Sequence, residues 1–179
     1  MHQITLGDKS ITPSKVICIG RNYVEHIKEL NNEIPDEPVV FIKPNSAISD
    51  NLLAFSEEPI HYEAEICFVV NNGQLAGVGF GLDLTKRQLQ QKLKTKGLPW
   101  ERAKAFDGSA VFSQFIEIEA EIDRLELKLY INEQLTQHAT PELMMYKPQA
   151  LLDFISNFMT LEDGDIIMTG TPKRCGASQ

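Results

Sequence analysis

The clearest periodic signal in the chain is LELKLYIN (125–132), where Leu125, Leu127, Leu129 and Ile131 alternate with Glu126, Lys128, Tyr130 and Asn132. Strict alternation marks a strand with one buried face. Elsewhere the apolar positions come as short unbroken runs: VICIG at 16–20, VVFIK at 39–43, EICFVV at 65–70 and IIMTG at 166–170. Runs of this length, bounded by turn residues, predict buried strands. Residues 3–6, 62–70, 76–83 and 110–118 read as further strands, with NNGQ as the turn between the second and third of these. Helical patterns are fewer. Asn22 to Leu30 is predicted helical with Asn22 as N-cap. Thr85 to Lys96 carries helix formers and ends at Gly97. Pro148 to Thr160 opens on proline and sets Leu151, Leu152, Ile155, Phe158 and Met159 on one side. Residues 31–38 and most of 44–60 are loop, the latter with one short strand. Strands dominate, the helices are scattered and no regular βαβ alternation exists, so the predicted class is β-rich α+β.

Composition narrows the choice. A chain of 179 residues is expected to form a single domain and to bury roughly 70% of its extended surface. Its 42% hydrophobic and 23% charged content excludes collagen-like, coiled-coil and wholly disordered chains. The net charge of −8, with no basic block, argues against a nucleic-acid partner. No apolar run reaches the ~18 residues of a spanning helix, and MHQITLGDKS lacks the layout of a signal peptide. The three cysteines are far apart and form no CxxC. Cys18 and Cys67 read as small core hydrophobes in a reducing, cytoplasmic compartment.

Five segments carry candidate chemistry. In HYEAEI, Glu63 and Glu65 are two apart on a predicted strand and share a face. Two such carboxylates repel unless a cation or proton lies between them. A solvated acidic pair is the simpler reading of E-x-E, but ICFVV takes this strand straight into the core. In GVGFGLDLT, Asp83 ends a Gly-rich strand whose Gly79 and Gly81 permit close approach by another chain or a ligand. Asp83 and Thr85 are equally good helix N-caps. Three converging carboxylates would make an all-oxygen site for Mg²⁺, Mn²⁺ or Ca²⁺. In GRNYVEHIKEL, His26 and Glu29 lie three apart on one helix face, as a tautomer-fixed general base requires, or as an ordinary surface pair. Arg21 and Asn22 before them could grip an anion. In KGLPWERAKAFDGS, Lys104 sits among Ala103, Ala105 and Phe106 beside the only Trp. It reads as a partly buried counter-ion or as a loop lysine with its stem on apolar surface. In IIMTGTPKR, the Thr-Gly-Thr-Pro turn offers hydroxyls and N–H groups to an anion.

Taken in order, VICIGRNYVEHIKEL, EPVVFIKPNSA, HYEAEI, GLDLTKRQLQ, KGLPWERAKAFD and LEDGDIIMTGTPK resemble the fumarylacetoacetate hydrolase superfamily. The resemblance is closest to its small branch of acylpyruvate hydrolases, oxaloacetate decarboxylases, isomerases and tautomerases. It implies a mixed β-roll or sandwich with short helices, a homodimer, and Mg²⁺ or Mn²⁺, with Ca²⁺ as a substitute, on Glu63, Glu65 and Asp83. It implies His26 and Glu29 as a water-activating dyad on a lid helix and Lys104 as a catalytic lysine. Arg21, Tyr23, Arg87, Gln90 and Thr171 become substrate-side residues. The implied function is metal-dependent cleavage or enolisation of a small 2-oxo acid such as acetylpyruvate, fumarylpyruvate or oxaloacetate. Keto–enol tautomerisation and 5-carboxymethyl-2-hydroxymuconate-type isomerisation are the alternatives, and a non-catalytic metal-binding domain is the competing class. The lid, Arg21 to about Asn32, is expected to be mobile, with few apolar anchors beyond Tyr23, Ile27 and Leu30. Two departures stand out. Only NNGQLAG separates the HYEAEI strand from the Gly-rich one, where the family has a longer excursion. After TGTP the family continues through x-G-V-G into more strands, whereas here Lys173-Arg174-Cys175-Gly176 follows, so C-terminal strands beyond about 173 are expected to be missing.

Overall fold

The apolar runs VICI and ICFVV have no polar face because the sheet they form is covered on both sides. The computed structural model describes residues 1–30, 33–119 and 121–174. Eight strands build its central sheet: β1 (Lys15–Gly20), β2 (Val39–Pro44), β3 (Ile48–Ser49), β4 (Ala64–Asn71), β5 (Gln74–Asp83), β6 (Ala110–Phe112), β7 (Ile116–Glu117) and β8 (Ile166–Met168). They run in the order β2-β1-β8-β4-β5-β6-β3, with β7 also on β5. The pairs β8/β1 and β6/β3 are parallel and the others antiparallel. One face buries Val16, Cys18, Cys67, Val69, Ile166 and Met168 with Phe115 and the N-terminal hairpin residues Ile4 and Leu6. The other face buries Ile17, Ile19, Val70 and Ile167 beneath helix α4 (Pro148–Ser156), through Leu151, Leu152 and Ile155. This is the β-rich α+β architecture that the periodicity predicts.

Ile66 and Phe68 of β4 pack instead against a hairpin of Leu127–Ile131 and Gln134–Ala139. The second strand of that hairpin has no apolar periodicity and was not among the predicted strands. The 110–118 strand is broken into β6 and β7: between them Phe80 N donates to Ser113 Oγ at 2.9 Å, and Phe115 N donates to Thr5 O at 2.8 Å instead of to β5. The helix expected over 148–160 stops at Ser156.

Three helices flank the future site: α1 (Val24–Glu29), α2 (Arg87–Thr95) and α3 (Glu101–Lys104). Neither expected cap holds. Tyr23 occupies the N-cap position of α1 with no side-chain cap bond. Asn22 uses its amide elsewhere, donating to Tyr146 O at 3.0 Å and Thr169 O at 2.8 Å and accepting from Tyr146 N at 2.8 Å. Thr85 and Lys86 pair with Ile60 and His61 as a short strand, so α2 starts two residues later than expected. Gly79 and Gly81 do admit a close neighbour, but it is protein. A Cβ at Gly79 would lie 2.8 Å from the Phe115 ring, and one at Gly81 would lie 3.0 Å from Phe112 and against Cys67. The end of the predicted lid (residues 31–32) and residues 175–179 lie outside the described residues. Among the described residues, no helix is long and apolar enough to cross a membrane.

The turn before β8 is tied to the start of β1 by Asp165, which is fully buried. Its Oδ1 accepts from Ser14 N (3.0 Å), Ser14 Oγ (2.7 Å) and Lys15 N (3.1 Å); its Oδ2 accepts from Glu162 N (2.9 Å) and pairs with Lys15 Nζ. Burial alone would raise this carboxyl, but the bonds from Lys15, Ser14 and the backbone outweigh it and hold Asp165 below the usual range. A group whose folded pKa is depressed stabilises fully above its unfolded value of about 4 and loses that contribution as pH falls through the folded value. Asp165→Asn should therefore cost about 1–3 kcal/mol at neutral pH. In denaturant melts the wild-type advantage should stay flat above about pH 5 and shrink below about pH 4. An advantage that grows on acidification contradicts this account.

Candidate active site

Antiparallel pairing of β4 with β5 brings three acids together at one end of the sheet. Ala64 pairs with Leu82 and Glu65 with Gly81, and Asp83 N donates to Glu63 O at 2.8 Å. One carboxylate oxygen from each of Glu63, Glu65 and Asp83 lies within 4.8 Å of the others. All three side chains are buried, Glu65 and Asp83 to within 1% of complete.

Cations surround them. Lys104, at the end of α3, is 3% exposed. Its ammonium donates to Glu63 Oε2 (2.7 Å), Asp83 Oδ2 (2.8 Å) and Thr85 Oγ1 (2.7 Å). It also lies 5.3 Å from the Phe41 ring centroid. The loop reading of this lysine fails: a short helix carries it into the core. Lys43 from β2, fully buried, pairs with Asp83 Oδ1 at 2.8 Å and donates to Lys104 O. Arg87, the first residue of α2, pairs with Glu63 Oε1 and donates to Gln90 Oε1 at 2.9 Å.

The charges are unevenly answered. Burial alone would raise Glu63, but Lys104, Arg87 and His26 outweigh it and hold its carboxyl far below the usual range. Glu65 goes the other way: burial, reinforced by the negative charges of Asp83 and Glu63, pushes it well up, against the pull of Gly170 N–H. That N–H donates to Glu65 Oε2 at 2.8 Å. Gly170 adopts φ +97°, and a Cβ there would press at 3.0 Å on Asn22 and on Ile19 O. Asp83 Oδ1 is buried without a hydrogen bond, the contact from Lys43 being an ion pair of poor hydrogen-bond geometry. A carboxylate oxygen that has an ion pair but no hydrogen bond, beside a carboxyl raised by burial and by its acidic neighbours, is what a divalent cation would relieve. The donor set is all oxygen, which fits a hard ion.

The remaining predicted residues divide. Arg21, His26, Arg87, Gln90 and Thr171 line one cavity with the acidic triad and Lys104. Glu29 does not line it, but its Oε2 lies 3.0 Å from His26 Nδ1. Tyr23 is not brought to the cavity: its ring is buried with Ala64, Ile66, Phe68 and Met144. Its hydroxyl has no hydrogen-bond partner among the described residues, and burial together with Glu65 raises its pKa. Thr171 turns its hydroxyl inward, donating to Ala64 O at 2.9 Å. Arg174, where the family has a turn glycine, places its guanidinium 5.0 Å from the Tyr62 ring and 3.1 Å from His61 Nδ1.

Three contributors escaped the sequence reading. Lys43 looked like the tail of an apolar strand. Gln137 holds the site together from the unpredicted hairpin strand, accepting from Ala64 N (3.0 Å) and donating to Thr171 Oγ1 (2.9 Å) and Pro172 O (2.8 Å). Lys94, from α2, lines the cavity too.

A family model described as fumarylacetoacetate (FAA) hydrolase C-terminal matches residues 15–179. The chain is 39% identical to an oxaloacetate tautomerase of Escherichia coli (strain K12), over 93% of this chain and 84% of that one. It is 35% identical to a mitochondrial oxaloacetate tautomerase of Bos taurus, over 90% and 80%. Its fold matches a fumarylpyruvate hydrolase from Pseudomonas aeruginosa, solved with Mn²⁺ and pyruvate, with TM-score 0.88 and 27% identity over 99% of this chain and 87% of that one.

If the triad is a cation site, adding Mg²⁺ or Mn²⁺ at about a hundred times its Kd should stabilise the protein by about 2.7 kcal/mol. Glu65→Gln should abolish that gain while leaving the metal-free melting temperature equal or higher, because the buried acid is no longer there to charge. A metal response that survives Glu65→Gln rules the site out.

Proposed function

The chain belongs to the fumarylacetoacetate hydrolase family, and from that premise we propose that it enolises 2-oxo acids at a divalent cation, with keto–enol tautomerisation of oxaloacetate as its reaction. The observation that carries this reading is that a buried acidic triad and His26, itself held by Glu29 from outside, line one cavity. Glu63, Glu65 and Asp83 would hold Mg²⁺ or Mn²⁺, with Ca²⁺ as a substitute; Mn²⁺ is the ion in the similar Pseudomonas hydrolase. Such a cation supplies Lewis acidity to a 2-oxo oxygen and so acidifies the C3 protons.

The chain's own groups supply the rest. Glu29 fixes His26 through Nδ1, which leaves Nε2 as the proton carrier. One proton leaves C3 and one is delivered to the 2-oxo oxygen, or the reverse. Lys104 is held rigidly by three acceptors, so its positive charge stands beside the developing oxyanion without reorganisation. Arg87, braced by Gln90 and paired with Glu63, would meet the substrate at the cavity wall. Burial strengthens the contacts of Lys104 with Glu63 and Asp83, whereas the His26–Glu29 contact lies at an exposed position.

A second reading, hydrolysis of an acylpyruvate, is favoured by the 3.0 Å His26–Glu29 contact, since the same base could deprotonate a water for attack on the distal carbonyl. Both readings share the triad. Glu63→Ala should therefore abolish oxaloacetate tautomerisation and acetylpyruvate hydrolysis alike. His26→Ala should slow both by about 10²–10⁴-fold. If His26→Ala spares tautomerisation and removes hydrolysis, His26 serves water alone. Activity that persists in Glu63→Ala contradicts the triad mechanism.

A further inference from the structure

Phe41 and Trp100 line two spaces at once. On one side they close the cavity that holds the triad, a space of about 50 Å³. On the other they line a surface groove of about 550 Å³ that follows β2 and residues 97–99, past Val39, Val40, Ile42, Leu98 and Pro99. Among the described residues these two alone line both spaces. Their rings, tilted at 57° with centroids 5.9 Å apart, are the partition between cavity and groove. The partition is fixed from two elements. Phe41 comes from β2, where it pairs with Cys18 of β1. Trp100 precedes α3, and its carbonyl accepts from Ala103 N (2.8 Å) and Lys104 N (3.0 Å). The short helix that carries Lys104 to the triad therefore also holds Trp100. The indole lies over the end of β1, where a Cβ on Gly20 would be 3.8 Å from its Cζ3. The Lys104 ammonium is 5.3 Å from the Phe41 ring centroid, so the aromatic wall begins beside the groups that answer the triad. None of the proton transfers described above uses either ring. Interiors are close-packed, and a small closed space rejects a ligand that exceeds it by a few methylenes.

We propose that the Phe41–Trp100 pair is a wall that sets the length of the substrate's tail. It admits 2-oxo acids with tails as short as those of oxaloacetate and acetylpyruvate and rejects longer apolar ones. Trp100 is the specificity-determining residue, because its ring keeps the outer groove out of reach of a ligand in the cavity. This rests on the 2-oxo acid reading above, with the head group directed to the triad and its cation, and it names which members of that class are taken.

The test compares 2-oxobutanoate with 2-oxooctanoate, which share a head group and differ only in tail length, by titration calorimetry of the Mg²⁺-loaded protein. The wild type should bind 2-oxobutanoate about tenfold or more the tighter. Trp100→Ala joins the cavity to the groove, and Phe41→Ala does so from the other side of the wall. Each should raise the affinity for 2-oxooctanoate relative to 2-oxobutanoate by about ten- to a hundredfold, as burial of about two or three methylenes in the groove would give. Leu98→Asp added to Trp100→Ala should remove that gain, because Leu98 lines the groove and not the cavity. Equal or tighter binding of 2-oxooctanoate by the wild type overturns the wall while leaving the 2-oxo acid reading intact. So does a Trp100→Ala protein that still responds to Mg²⁺ but keeps the wild-type ratio, or a gain indifferent to Leu98→Asp. If Mg²⁺-loaded wild type binds neither acid, the 2-oxo acid reading fails and the wall fails with it.

Discussion

Mutual repulsion among three buried carboxylates is the constraint around which this molecule is arranged. Two unit charges 4 Å apart repel by about 4 kcal/mol at an effective dielectric of 20, and Glu63, Glu65 and Asp83 offer oxygens within 4.8 Å of one another. The fold answers with cations drawn from three separate elements: buried Lys43 from an edge strand, half-buried Arg87 from a helix start and buried Lys104 from a one-turn helix. The answer is lopsided. Glu63 is over-compensated, Glu65 is left high and Asp83 keeps one oxygen without a hydrogen bond. A structure whose only task was stability would do better with apolar residues at these positions.

The rest of the architecture holds this arrangement in place. The glycines of β5 let Phe112 and Phe115 lie against the strand that delivers Asp83. Gly170 brings a backbone N–H to Glu65 through a conformation that a larger residue would strain. Gln137 ties the HYEAEI strand to the TGTP turn, so that the two walls of the cavity share one amide. The His26–Glu29 pair is carried on a short helix entered through the clamped Asn22.

The site was more legible in the sequence than the hairpin and helix caps around it. Strand and helix periods put Glu63 with Glu65 and His26 with Glu29 on common faces, and Asp83 stood out as the acid ending a Gly-rich strand, but each also had a plain structural reading until the family resemblance joined them. Lys104 stood out by its apolar neighbours, while its catalytic role and the choice of Arg87 followed from the family resemblance. Asn22 was misread because propensity sees a capping residue and cannot see Tyr146, more than a hundred positions away, competing for its amide. Thr85 was misread in the same way, since pairing with His61 extends the sheet where a helix start was expected. Lys43 was missed because a buried lysine is explained only by partners distant in sequence. The strand holding Gln137 has polar residues on both faces, Leu135 being 39% exposed, and so gives no periodic signal.

The central claim is that the triad is a cation site. Diffraction from crystals grown with Mn²⁺, collected at the manganese absorption edge, tests it without reference to any substrate. The account predicts one strong anomalous peak between Glu63, Glu65 and Asp83, about 2.0–2.3 Å from an oxygen of each and completed by further oxygen ligands. A peak elsewhere on the chain, with the three carboxylates still held by Lys43, Lys104, Arg87 and Gly170, would contradict it.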